Sequence, residues 1–165
     1  MIGIKKILVA TDFAPASETA LRYGRELARA FQASLEVMHV TENLYLLAST
    51  GFGDASFPVG IQEDLERDAA QETERLLTDE DRRDLRAKAV SVTHNTPAAA
   101  IVDYARDCKA DLIVVGTHGR GALGHVFLGS VAERVVRLAP CPVLTVHSPE
   151  HEFVLPEALV AVTKS

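Results

Sequence analysis

The chain has 165 residues, with 17 lysines and arginines against 23 aspartates and glutamates, a formal net charge of −6, and 47% hydrophobic content. That suits one domain able to bury roughly 68–70% of its unfolded surface, and the acidic balance argues against nucleic acid, whose binders carry a basic face. No run approaches the ~18 apolar residues of a membrane span, the stretch before Asp12 does not read as a signal peptide, and Cys108 and Cys141 form no CxxC pair, so we expect a soluble, cytoplasmic protein with reduced thiols.

Apolar runs rich in Val and Ile alternate with stretches of helical period. Ile7 to Ala10 reads as a buried strand ending at Thr11-Asp12. Pro15 then sits where the first turn of a helix tolerates it. Ala20, Gly24, Leu27, Ala28 and Phe31 recur at spacings of three and four, which predicts one apolar helix face. Leu35 to Val40 is a second strand. Residues 43–59 carry Gly, Ser and Pro among scattered aromatics and read as a long loop. Residues 61–84 read as one charged helix, with ten acidic side chains, four arginines, and Ile61, Leu65, Ala69 and Leu76 facing inward.

Ala87 to Thr93 alternates as a third strand. Thr96-Pro97 looks like an N-cap followed by proline at the first helical position, and Ala98, Ile101, Val102 and Ala105 continue that helix. Residues 111–116 form a fourth strand, apolar enough to be covered on both faces. A glycine-rich segment runs from Gly116 to Gly129, and Ser130 to Leu138 is helical, with Val131, Val135 and Leu138 on one side. Pro140-Cys141-Pro142 ends that helix, and Val143 to Val146 is a fifth strand. Strands alternating with helices imply an α/β fold: an open parallel sheet with helices on both faces. Ligands of such sheets bind beyond the carboxyl ends of the strands, where the winding reverses. We take residues 1–147 as one domain and residues 148–165 as an appended tail, apolar in parts.

The chemistry is concentrated in the fourth βα unit. Five glycines in the fourteen residues 116–129, between a strand and a helix, need a reason. Glycine lets a backbone approach a ligand closely, and free N–H groups leading into a helix N-terminus make an anion site without any lysine. Ser130 at the helix start either caps that helix or gives its hydroxyl to a phosphate. The plain alternative is a flexible loop with a capped helix behind it. The P-loop pattern fails, because Gly129 is followed by Ser130 with no lysine between. GxGxxG does match at Gly119, Gly121 and Gly124, but beyond the strand end and in the fourth unit rather than the first.

The spacing that fits is Gly116-x2-Gly119-x9-Gly129-Ser130. In this motif, in the opening VATDFAPAS with Asp12, in a second strand ending at Val40 and in the closing LAPCPVLTV, the chain resembles the universal stress protein family, over residues about 4–147. The motif is that of ATP-binding members. The resemblance implies a Rossmann-like five-stranded parallel sheet of order 3-2-1-4-5, a homodimer and a regulatory role in stress response. It places Asp12, after Ala10 and Thr11, against adenine and ribose, and the Val40 backbone at the adenine edge. Gly116, Thr117, His118 and Gly119 would let the chain pass close to ribose and phosphates. Gly129, Ser130 and Val131 would hold phosphate oxygens. Arg120 either screens the phosphate charge or points into water. The implied ligand is ATP, AMP or ADP, with Mg²⁺ or Mn²⁺ arriving on the phosphates and held mainly by them. The implied dimer pairs through Val143 to Val146, with the tail covering that edge or crossing to the partner.

Other polar residues read more plainly. Asp12 has a second possible task, capping the helix after Pro15. His118 and His125 are loop histidines without metal-ligand spacing. His39, His94, His147 and His151 are scattered and read as structural, the two cysteines as packing residues, and Tyr23, Tyr45, Phe52 and Phe57 as core or loop packing. No P-loop lysine, second carboxylate cluster or clear general base accompanies the glycine motif, so nucleotide binding is favoured over phosphoryl transfer. A slow ATPase or phosphotransferase is the second reading, and a nucleotide-free partner-binding dimer the third. The net charge belongs to residues 61–84 alone; residues 111–147 carry three arginines against two acids. The acidity therefore says little about a small polyanion held by glycine N–H groups.

Overall fold

A computed structural model describes residues 3–49, 57–117 and 129–147. The apolar runs become β1 (Lys6–Thr11), β2 (Ser34–Thr41), β3 (Lys88–Thr93), β4 (Leu112–Gly116) and β5 (Val143–Val146). They form one parallel sheet of order β3-β2-β1-β4-β5, the architecture expected. β1 lies at its centre, and Ile7, Leu8 and Val9 are each fully buried. Cover on both faces is why that run is apolar without alternation. Each such side chain contributes about 1.5–3 kcal/mol through its burial.

The two faces have different helices. Ile7 and Val9 join Ala20, Leu21 and Ala28 of α1 (Pro15–Phe31), while Leu8 and Ile113 join Ala98, Ile101 and Ala105 of α5 (Pro97–Cys108) and Val135 of α6 (Ser130–Leu138). The register sets Ala10 beside Met38 of β2 and Val115 of β4, so β1 and β4 end level while β2 runs two residues further. Among the described residues no helix is long and apolar enough to cross a membrane.

Two expectations between β2 and β3 are corrected. The stretch read as a loop contains α2 (Leu44–Ser49), started by Asn43, whose Oδ1 accepts from Leu46 N–H. Nothing in α2 is buried, so it leaves no apolar period in the sequence. The single helix over 61–84 is two, α3 (Ile61–Arg75) and α4 (Asp79–Asp84). Thr78 starts α4 with a reciprocal capping box to Asp81, and the Arg25 guanidinium of α1 grips the Asp81 carboxylate at 3.0 and 3.1 Å. The buried residues of α3 are Gln62, Ala69 and Thr73, whereas Leu65 is exposed. Gln62 faces inward because its amide is used there: Oε1 accepts from Leu44 N–H and Nε2 donates to the Glu42 carbonyl.

Smaller corrections concern the helix rims. Phe31, Tyr23 and Tyr45 are exposed, and Phe52 lies outside the described residues. In α6 the buried residues are Ala132 and Val135, while Leu138 is 60% exposed and Val131, at the helix start, is 37% exposed. At the amino end of the sheet, buried Glu36 accepts from the Tyr104 hydroxyl and pairs with Lys6. Cys108 and Cys141 are half-buried free thiols, and burial pushes both above the usual cysteine range.

Candidate functional site

At the carboxyl ends of β1, β2 and β4 lies a cavity of about 200 Å³. It opens where the winding reverses between β1 and β4, the place where open α/β sheets receive ligands. Ala10, Met38, Val40 and Val115 give it an apolar floor, with Pro97 and Ile101 of α5 above. The turn from β1 to α1 brings Thr11, Asp12 and Ser17, and the start of α6 brings Gly129 to Ala132.

The start of α6 is arranged as an anion acceptor. Gly129 is the N-cap and Ser130 the first helical residue, so of its two expected tasks Ser130 does not perform the cap, and among the described residues no side chain does. The first intrahelical bond runs from Glu133 N–H to the Gly129 carbonyl at 2.9 Å, leaving the amides of Ser130, Val131 and Ala132 ahead of it. Thr96 stands at the N-cap of α5 before Pro97, as expected, but its side chain makes no capping bond either. Two uncapped helix starts therefore meet at the cavity, each carrying roughly half a positive charge.

Thr117 ties the glycine-rich segment at both ends. Fully buried, it donates its N–H to the Val146 carbonyl at 2.9 Å, accepts from Gly129 N–H, and hydrogen-bonds His147 Nδ1 through its hydroxyl at 2.8 Å. The β1–α1 turn is equally knitted. Asp12 Oδ1 accepts from Ala14 N–H at 3.1 Å, and Thr11 Oγ1 accepts from Phe13 N–H at 3.1 Å. Ser17 Oγ donates to the Ala14 carbonyl at 2.8 Å. Asp12 thus closes an Asx turn onto Ala14, the N-cap residue of α1, while lining the cavity; it does not cap the helix as expected, since α1 has no side-chain cap bond. Among the described residues no group of three or more His, Cys, Asp or Glu could hold a metal ion.

The sequence pattern of the Universal stress protein family matches residues 3–147. The chain belongs to the universal stress protein family. A Thermus aquaticus relative, described as universal stress protein in QAH/OAS sulfhydrylase 3'region, is 38% identical over 145 residues, covering 86% of this chain and 98% of that one. A solved structure of a family protein from Burkholderia pseudomallei is 28% identical, with a TM-score of 0.67, and covers 87% of this chain and 96% of that one. Two more distant structures share the fold. One is a universal stress protein in complex with cAMP, at 24% identity, TM-score 0.55, covering 88% of this chain and 98% of that one. The other is the Archaeoglobus fulgidus universal stress protein in complex with dAMP, at 20% identity, TM-score 0.51, covering 88% and 99%.

In this universal stress protein the cavity gathers Ala10, Thr11, Asp12, Val40, Gly116, Thr117, Gly129, Ser130 and Val131. His118, Gly119 and Arg120 lie outside the described residues. Gly116 has a packing reason besides the one expected. A side chain there would put its first carbon 2.7 Å from the carbonyl carbon of Ala16, so α1 already occupies the space beside it. Sequence reasoning missed Ser17, Met38, His39, Pro97, Ile101, Val115 and Ala132 as cavity residues. Met38 and Val115 enter as register partners of Ala10, a relation across strands that the sequence does not carry. Nothing in the sequence distinguished His39 from the other histidines.

Proposed function

We propose that this chain is an adenine-nucleotide-binding regulatory protein of the stress response, with ATP as its ligand, acting in the cytoplasm. Residues 1–147 are the binding domain and residues 148–165 an appended tail. The observation that carries the reading is the uncapped start of α6, with Ser130, Val131 and Ala132 N–H groups at an apolar cavity that also contains Asp12. A purine suits the floor of Ala10, Met38, Val40 and Val115, the Asp12 carboxylate accepts from ribose hydroxyls, and the helix start accepts phosphate oxygens. Gly119, His118 and Arg120 belong to the same reading through the motif alone. Two proteins sharing the fold hold adenine nucleotides, cAMP and dAMP. A divalent cation, Mg²⁺ or Mn²⁺, is carried by the phosphates and supplies charge neutralisation there.

Calorimetric titration with ATP tests the reading. Saturable binding is expected, and no heat at millimolar ATP would sink it. The same proposal makes the protein a homodimer. β5 is the last strand of the sheet and pairs only with β4 among the described residues, which leaves a row of N–H and C=O groups along Val143 to Val146. A second copy, with or without residues 148–165, covers that edge. Sedimentation at micromolar concentration is expected to give the dimer mass, and a monomer would remove this part of the proposal.

A further inference from the structure

We propose that His39 is a positioning residue of this nucleotide site: it holds in place the turn that carries Asp12. The proposal rests on the nucleotide reading above and adds to it a side chain that the glycine motif does not contain.

Along β2 the side chains alternate between faces. Met38 and Val40 join the apolar cluster on the α5–α6 side, while Leu35 and Val37 join the α1 side. The period therefore turns the His39 ring away from the cavity floor. It reaches sideways to the next strand instead, with Nδ1 2.9 Å from the Thr11 carbonyl oxygen. A carbonyl only accepts, so Nδ1 carries the proton and donates. The same ring stacks on Phe13, with centroids 4.3 Å apart and planes at 29°.

Thr11 and Phe13 are the two neighbours of Asp12, so one imidazole clamps the backbone on both sides of that carboxylate. The clamp has something to hold. Phe13 has φ 62°, a left-handed conformation costly for an aromatic residue, and such strain persists only where the surroundings impose it. The hydrogen bonds within the turn are local, Phe13 N–H to Thr11 Oγ1 and Ala14 N–H to Asp12 Oδ1. His39 supplies a side-chain link from the turn to β2, the strand that bears Val40, beyond the backbone pairing of Thr11. The purine-edge residue and the ribose acceptor are thereby fixed relative to one another.

The experiment is ATP titration of the wild type, His39→Ala and His39→Asn, each also in an Asp12→Ala background, with a thermal melt of every protein. His39→Ala should bind about tenfold more weakly, the effect of losing one hydrogen bond to a charged site's support. His39→Asn, whose amide nitrogen reaches the Nδ1 position, should recover to within about threefold of the wild type. In the Asp12→Ala background the His39→Ala loss should disappear, because the carboxylate being positioned is gone. Affinity of His39→Ala within about twofold of the wild type overturns the proposal, twofold being less than a typical hydrogen bond's worth. So does His39→Asn no better than His39→Ala, or an equal loss without Asp12, since either points to general stability or direct ligand contact. Should His39→Ala not fold, His39→Asn against His39→Gln decides. The glutamine amide reaches the Nε2 position, so equal affinities overturn the proposal and tighter binding by His39→Asn supports it. A wild type that binds no nucleotide overturns the site reading and this proposal together; a wild type that binds, with indifferent His39 variants, overturns this one alone.

Discussion

Gly116 at the end of β4 lies against the backbone of Ala16 in the first turn of α1, so closely that a β-carbon would sit 2.7 Å from the Ala16 carbonyl carbon and 2.9 Å from its oxygen. The contact locks α1 onto β4 beside the cavity. Gly116→Ala must therefore push α1 and the Asp12 turn apart from the strand, at about 1–3 kcal/mol, the range for overpacking a filled interior. Denaturant unfolding is expected to give a lowered midpoint with an unchanged slope. ATP affinity should fall as well, since the displaced elements line the site.

Gly129 behaves differently. Its φ of −57° and ψ of 149° are open to any residue, so Gly129→Val should fold with a stability close to that of the wild type. Its side chain would stand at the N-cap where the phosphates approach, and ATP binding should drop below detection by calorimetry. Binding that survives Gly129→Val means the phosphates lie elsewhere. Ser130→Ala removes one hydroxyl donor and keeps the helix amides, so it should weaken ATP by about three- to tenfold.

Asp81 anchors the break between α3 and α4. Burial raises its carboxyl, but the Arg25 guanidinium and the Thr78 amide and hydroxyl outweigh that and hold it below the ordinary aspartate range. A lowered folded-state value means the unfolded chain binds the proton first on acidification. The stabilisation is complete above the unfolded value of about 3.9 and is lost as pH falls through the folded one. Asp81→Asn should cost about 3 kcal/mol at neutral pH, having stranded Arg25 and weakened a cap. Its stability should fall less than the wild type's between pH 5 and acid, which urea unfolding as a function of pH will measure.

Tyr104 donates to buried Glu36 at 2.8 Å at the opposite end of the sheet from the cavity. Burial first, then the Glu36 carboxylate, push the phenol well above the usual tyrosine range. The stabilisation it represents is complete below about pH 10 and is lost as pH rises beyond that. Tyr104→Phe should lower stability by about 1–2 kcal/mol by leaving a carboxylate oxygen without its donor. In an absorbance titration it should remove a tyrosine transition lying well above the usual range. ATP binding should be unaffected, because this pair is not part of the cavity.

Most of the sheet was legible because buried parallel strands write themselves as uninterrupted Val, Ile and Leu. The cavity side of the site was legible where a motif fixed it, at Asp12, Gly116, Gly129 and Ser130. α2 was not, since a short exposed helix with nothing buried leaves no period. The break in 61–84 was not, since the capping box of Thr78 and Asp81 lies inside a run of helix-forming charged residues and Arg25, far away in sequence, completes it.

What the sequence alone determined is the five strands, the helices that pack on them at α1, α5 and α6, the family and the location of the glycine motif, because these depend on period and spacing along the chain. What only the tertiary structure decided is which groups meet. Register brings Met38 and Val115 beside Ala10, helix packing gives Gly116 its reason in Ala16, and a sideways hydrogen bond between neighbouring strands joins His39 to the Asp12 turn. Contacts of that kind depend on distances across the sheet, and no spacing along one strand encodes them.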